Sequence, residues 1–172
     1  MNNFNPLKIE IVEMTRDNIS ENLDLLNQVI REGHFLASKK EISKMEANDF
    51  FTFWVESKLS IYLIARYMGK LVGHISNRPR EEDRLNHIGA IGYLVHHDFR
   101  KMGIASMLME KIIELSKNQG FKILVAEVSH DNIASLALLK KFQFKKFGRL
   151  KKALKVKEND YRDIIMLSKT II

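Results

Sequence analysis

The chain has 172 residues, 45% of them apolar and 28% charged, with a net charge of +7. That composition excludes a mostly disordered chain, and the length suits one domain whose core needs no covalent staple. Cysteine is absent, which excludes disulfides, thiolate metal sites and a cysteine nucleophile.

Lys8–Glu13 alternates, with Ile9, Ile11 and Val12 apolar, and predicts a short strand. Asp17 is the expected cap of a helix carrying Ile19, Leu23, Leu26 and Ile30 on one face, and Gly33 ends it. Ser38-Lys39-Lys40-Glu41 has capping-box spacing and predicts a helical stretch toward Trp54. Phe50, Phe51 and Phe53 in that stretch form a core cluster or wall a pocket. Ile61–Arg66 and Leu71–Ser76 predict a hairpin around Met68-Gly69-Lys70. A polar loop, Arg78–His87, precedes a strand at Ile88–Val95 that contains Gly89 and Gly92. Gly103–Asn118 predicts a helix with Ile104, Leu108, Ile112 and Leu115 on one face, closed by Gly120. Phe121–Val128 reads as a strand and Asn132–Phe142 as a helix capped by Asp131 or Asn132. Phe144–Leu154 and Tyr161–Ile171 read as two closing strands joined by Glu158-Asn159-Asp160. The order β-α-α-β-β-β-α-β-α-β-β predicts a single α/β (α+β) domain over residues 1–172, a mixed sheet of about seven strands with about four helices on its faces.

No apolar run is long enough to span a bilayer, and Met1–Pro6 lacks the basic and apolar regions of a signal peptide. A cytoplasmic protein with no membrane partner is expected. The positive charge is concentrated: residues 140–157 hold nine of the 28 Lys and Arg and no acid, while the rest of the chain carries 19 basic and 21 acidic groups. That segment is a solvated face, a site for an anionic cofactor or substrate, or a surface for nucleic acid, the least expected of the three.

The chemistry concentrates between His87 and Phe144. The apolar strand Ile91-Gly92-Tyr93-Leu94-Val95 enters a short loop, His96–Met102, and a helix begins at Gly103-Ile104-Ala105-Ser106. Unpaired backbone N–H groups point outward at a helix start and the dipole adds positive charge, so such a junction binds anions. Gly103 permits close approach of a phosphate, Ala105 is small, and Arg100 and Lys101 add charge. The G-x-G-x-x-G and G-x-x-x-x-G-K-[ST] patterns are absent; the string present is Arg100-Lys101-Met102-Gly103-Ile104-Ala105.

This R-x-x-G-x-A string after an apolar strand resembles the pyrophosphate-loop motif of the GNAT superfamily of acyl-CoA-dependent N-acetyltransferases. Asn132-Ile133-Ala134-Ser135-Leu136-Ala137-Leu138-Leu139-Lys140-Lys141-Phe142-Gln143-Phe144 is similar to the family's second motif, N-x-x-A-[IL]-x-L-Y-x-K-x-G-F. The ending Tyr161–Met166 and the N-terminal half are similar to the branch of phosphinothricin-type acetyltransferases. The resemblance implies a mostly antiparallel sheet, acetyl-CoA as co-substrate, and transfer of its acetyl group to an amine. It implies that the backbone of Tyr93, Leu94 and Val95 pairs with the pantetheine arm. The amides of Arg100, Lys101, Met102, Gly103, Ile104, Ala105 and Ser106 would hold the pyrophosphate. Asn132 would contact the arm through its amide, and Lys141 would stand near the phosphates.

Acetyl transfer needs a neutral amine, a donor for the thioester oxygen and an exit for the thiolate. A backbone N–H near Val95 is the candidate for the oxygen. Glu127, near the carboxyl end of an otherwise apolar strand, is the candidate base; the plainer alternative is a strand-end glutamate facing water or a salt-bridge partner. Ribosomal-protein-alanine acetyltransferases resemble this chain in having a glutamate there. The sequence departs from the second motif in having Leu139 where the family's proton-donating tyrosine stands, and Gln143 in place of the glycine. Tyr93, Ser135 and Tyr161 are the alternative donors. His96-His97 lies at the mouth of the site, and on extended backbone only one of the two faces it. His34, His74, His87 and His130 show no metal-ligand spacing, so no metal is expected. Arg78, Arg80, Arg84, Glu81, Glu82 and Asp83 form a solvated loop or border the acceptor. The acceptor is an amine on a small molecule or a protein; a non-catalytic acyl-CoA-binding module is the alternative function, and the resemblance allows a homodimer.

Overall fold

The structure, a computed structural model, describes residues 5–33 and 36–172. The first four residues, His34 and the Phe53 side chain, each named above, lie outside the described residues. The elements are β1 (Ile9–Glu13), α1 (Ile19–Glu32), α2 (Lys44–Glu56), β2 (Ile61–Tyr67), β3 (Lys70–Pro79), β4 (Ile88–Val95), α3 (Ile104–Asn118), β5 (Ile123–Ser129), α4 (Ile133–Lys141), β6 (Lys145–Lys157) and β7 (Asp160–Thr170). This is the order that the hydrophobic periodicities predict. The strands form one seven-stranded sheet, β1-β2-β3-β4-β5-β7-β6. Every ladder is antiparallel except β4–β5, which the α3 crossover makes parallel. No helix among the described residues is long and apolar enough to cross a membrane.

Two apolar clusters sandwich the sheet. On one face Ile104, Leu108 and Ile112 of α3 and Leu139 of α4 pack on Leu63, Ile75, Ile91, Leu124, Ala126 and Ile165. On the other, Leu23 and Leu25 of α1 and Phe51 of α2 pack on Tyr62, Ile64, Leu71 and Leu94. Within the aromatic stretch of α2, Phe51 is core and Trp54 packs beside it, 5.9 Å and 5.4 Å from the Tyr62 ring centroid to centroid, while Phe50 is exposed. This second cluster takes nothing from β5 or β7. Alternation along β5 sends Leu124, Ala126 and Val128 toward α3 and α4, so Glu127 stands exposed on the uncovered part of the opposite face.

Several boundaries differ from expectation for local reasons. The capping box of α2 is Ser43–Glu46, five residues after the predicted one: Ser43 N–H donates to Glu46 Oε2 (2.8 Å) and Glu46 N–H to Ser43 Oγ (3.3 Å). Ser38 instead donates to the Lys40 carbonyl, and Glu41 is held by Arg31 of α1. Asp17 does not cap α1; it sits in a single 3-10 turn, Arg16–Asn18, where Asn18 Oδ1 accepts from Thr15 N–H. β3 runs on to Pro79, which moves Arg78 from the predicted loop into the sheet. Gly89 is glycine because a Cβ there would lie 1.9 Å from Oδ1 of the buried Asn77, whose amide donates to Ser116 of α3.

A buried polar group ties α1 to the sheet. Asn22 donates from Nδ2 to the Tyr62 hydroxyl (2.8 Å), and its Oδ1 lies 2.7 Å from His74 Nδ1. That oxygen only accepts, so Nδ1 carries the proton. Burial lowers the His74 pKa to about 3 and pushes the Tyr62 phenol up. An unfolded histidine binds its proton near pH ~6.5, so below that pH the unfolded chain takes up a proton that the folded chain refuses until about pH 3. The folded state should lose up to ~1.4 kcal/mol per pH unit from this group as pH falls through that window, and nothing above it. Urea unfolding between pH 7 and 4 should therefore show a shallower decline in a His74→Asn variant than in the parent, whatever the variant's stability at pH 7.

Candidate active site

β4 and β5 are joined through only three residue pairs, Ile88↔Ile123, Gly89↔Leu124 and Ala90↔Val125. β4 continues to Val95 against β3, and β5 to Ser129 against β7, without pairing to each other. The strands part into a gap, and the stretch from Ile91 to Val95 has a ladder on one side only. Backbone groups on its open side need another partner. One is supplied internally: the Val95 carbonyl accepts from Arg100 Nε at 3.0 Å.

At the wide end of the gap the chain makes a 3-10 turn, His97–Phe99, and enters α3. Lys101 (φ 61°) and Gly103 (φ 85°) both take the left-handed conformation. That alternation turns successive N–H groups to one side, the geometry of an anion-binding nest. Among the described residues the N–H groups of Lys101, Met102, Gly103, Ile104 and Ala105 donate to no backbone carbonyl. The outer two of the seven expected amides are committed internally: Arg100 donates to the His97 carbonyl (3.3 Å) and Ser106 to that of Gly103 (2.9 Å). A Cβ on Gly103 would meet nothing within 4 Å, so it would project into the open cradle. The Arg100 guanidinium is not aimed at the nest; it also pairs with Glu32 of α1 at 2.7 Å and anchors the loop.

Lys141, at the end of α4, donates to Ser106 Oγ in the first turn of α3 (3.1 Å) and so brings a cation to the nest. Asn132 caps α4: its Oδ1 accepts from Ser135 N–H at 3.1 Å, which leaves its Nδ2 as donor. Tyr93, half-buried on β4, reaches toward α4 with its hydroxyl 3.4 Å from the Ser135 carbonyl, and desolvation raises its pKa. Leu139 is fully buried in the core. Tyr161 is half-exposed and stands beside Lys155 on the hairpin, 6.0 Å from its ammonium to the ring centroid.

On the face opposite α3 a hollow of about 480 Å³ opens, lined by Glu127 and Val125 of β5, Ala90 of β4, Arg78 of β3, and Arg80, Glu81 and Glu82 beyond it. Arg78, Ala90 and Val125 lie side by side across three strands. Two residues further on, Gly92 and Glu127 lie on the same face of their strands, past the last β4–β5 pair. The loop of mixed charges thus borders Glu127, an arrangement the sequence left open. Arg78 pairs with Glu81 at 2.5 Å. Periodicity could have placed Arg78 on this face only if β3 had been carried to Pro79.

The histidine pair differs from expectation. Because β4 ends at Val95, His96 and His97 are not on extended backbone, and their rings stack at 4.7 Å and 18° rather than pointing apart. His96 is buried, its Nδ1 accepts from Asp98 N–H, and desolvation, then Lys70, lowers its pKa. His97 lies 3.1 Å from Gln28 Nε2 and 2.9 Å from Asp98. Among the described residues His96, His97 and Asp98 could together offer ligands to a metal, their atoms within 4.8 Å of one another. The positive charges of Lys70 and Arg100 beside His96 oppose a cation there.

The gap between β4 and β5 and the nest at the start of α3 together form a site suited to an anionic ligand with an extended arm. The family model described as Acetyltransferase (GNAT) family matches residues 26–144, more than half of the chain. The chain belongs to the GNAT acetyltransferase family. Among solved structures it is similar to a GNAT acetyltransferase from Streptococcus pneumoniae (24% identity, 95% of this chain and 99% of that one, TM-score 0.87). It is also similar to a ribosomal-protein-alanine N-acetyltransferase from Brucella melitensis (21%, 94% and 99%, 0.86). A third is a GNAT superfamily phosphinothricin acetyltransferase from Sinorhizobium meliloti, solved in complex with acetyl-CoA (14%, 95% and 88%, 0.87). At these identities the likeness concerns the fold. No curated protein matches the chain.

The nest makes a prediction independent of any ligand. In hydrogen–deuterium exchange the amides of residues 101–105 should exchange at nearly unprotected rates, while that of Met107, bonded to the Gly103 carbonyl at 3.1 Å, should be protected.

Proposed function

We propose that the protein is an N-acetyltransferase that passes the acetyl group of acetyl-CoA directly to a primary amine in a ternary complex. The observation that carries this is the gap between β4 and β5, which leads from the nest at α3 to the Glu127 hollow on the opposite face. The chain's donors fit the cofactor along that route. Five uncommitted amides and Lys141 suit a pyrophosphate. The open edge at Tyr93, Leu94 and Val95 suits the amides of the pantetheine arm, and Asn132 Nδ2 offers a further donor. The bound cofactor supplies an acetyl thioester as the electrophile.

In the reaction the amine nitrogen bonds to the thioester carbonyl carbon and the carbon–sulfur bond breaks, releasing the thiolate. Glu127 receives the amine proton, directly or through water in the hollow. A backbone N–H at the open end of β4, near Val95, stabilises the developing oxyanion. Leu139 is apolar and sealed in the core, so no proton comes from that position. Tyr93 is the donor we favour, because its raised pKa keeps the phenol protonated beside the gap. A non-catalytic acyl-CoA-binding module remains the second reading, motivated by Leu139, and a turnover assay separates the two.

Saturating acetyl-CoA, at about 100 times its Kd, should stabilise the protein by about 2.7 kcal/mol, a rise of roughly 5–10 °C in Tm. Gly103→Glu, which fills the cradle with a like charge, should abolish the rise; an unchanged rise would refute the nest assignment. CoA release should be scanned over a panel of amines. With the amine that responds, Glu127→Gln should lower kcat by about 10²–10⁴ and leave the thermal shift with acetyl-CoA intact. No release with any amine, alongside a normal thermal shift, would favour the binding module.

A further inference from the structure

We propose that the β6 edge of the sheet is a docking surface for single-stranded nucleic acid. β6 is the outermost strand, paired to β7 on one side only, and it is 13 residues long, about 43 Å. Among the described residues no strand pairs with its other side. From sequence alone, nucleic acid is the least expected of the three readings of this basic segment, a solvated face being the commonest. Here its charges divide into two groups. Arg149 pairs with Asp163 and Lys155 with Glu158. Lys145, Lys146, Lys151, Lys152 and Lys157 are all exposed, and none has an acidic group within 4.0 Å among the described residues.

The surface is also held in shape. Residues 151–153 bulge out opposite the single residue 163. Asp163 pins the bulge, accepting from Lys152 N–H (2.8 Å) on one oxygen and from Arg149 Nε (2.6 Å) on the other. Lys152 holds φ 52° as a result. The lysines at 151 and 152 are therefore presented by a fixed backbone. Exposed rings stand among the cations: Phe147 is 59% and Tyr161 44% exposed. Cations that follow a backbone and rings on which bases stack are the two parts of a sequence-tolerant single-strand site. A second copy of this edge is excluded as occupant by like charge, and lysine on an edge strand is a known guard against such pairing. An acidic protein segment would use the charge but leave the rings without a role.

The test is fluorescence anisotropy with labelled oligouridylate and oligothymidylate of about 12 nucleotides. Five phosphate contacts predict a log–log salt slope of about −3.5, or a roughly 100-fold loss of affinity between about 50 and about 200 mM salt. Lys146→Ala/Lys151→Ala/Lys152→Ala should reduce the slope to about −1.4. Phe147→Ala should weaken binding about tenfold with the slope unchanged. Far-ultraviolet circular dichroism and the thermal midpoint confirm that the variants fold. Absence of binding at the lower salt, a triple variant that matches the parent, or polyglutamate binding as tightly as the oligonucleotides would each overturn the proposal.

Discussion

Three residue pairs hold β4 to β5, and the gap that opens toward the nest depends on the pairing stopping there. A parallel ladder continued to Val95 would close the sheet and leave no route from one face to the other. Each strand has a reason to leave. β5 follows β7 along its whole length, from Ile123 to Ser129. β4 follows β3, and past Ala90 its side chains are taken by neighbours on both faces: Ile91 joins the α3 core, Tyr93 reaches to α4, and Leu94 sits under α1 and α2. The Val95 carbonyl, left without a sheet partner, is satisfied by Arg100. A charged side chain thus does locally what the missing ladder would have done, and in doing so fixes the loop that forms the nest.

Cations in this protein are divided by what they meet. Arg100, named in the sequence reading as a contributor of charge to a phosphate, is occupied by Val95 and Glu32. Its effect on the nest is through loop geometry. Lys141 arrives from the other side, because α4 ends beside the start of α3. The nest itself is neutral backbone, made electropositive by the dipole of a 15-residue helix and by unpaired donors. A separate group of seven Lys and Arg lies on the outer strand β6, three places along the sheet order from β4.

The element order and nearly all strand and helix cores were legible in the sequence, because each amphipathic segment carries its own period. Boundaries were less so. Two S-x-x-E strings lie five residues apart, and local chemistry alone cannot choose between them. Ser43–Glu46 is used because Glu41 of the earlier string is drawn to Arg31 on a different helix. The histidine pair was misread for a similar reason: opposite-facing side chains require the strand to continue, and it ends one residue earlier.

By itself the sequence determined the class of fold, the strand-loop-helix junction with Gly103, the Asn132 cap and the leucine at 139, since these follow from period, small residues and side-chain chemistry within a few positions. Only the tertiary structure decided which amides stay free, that Lys141 meets Ser106, that Arg78 and Glu127 border one hollow, and which lysines lack acids. Those facts depend on contacts between segments 14 to 68 residues apart. Such contacts are set by how a twisted sheet and its covering helices share space, and no local pattern in the chain encodes them.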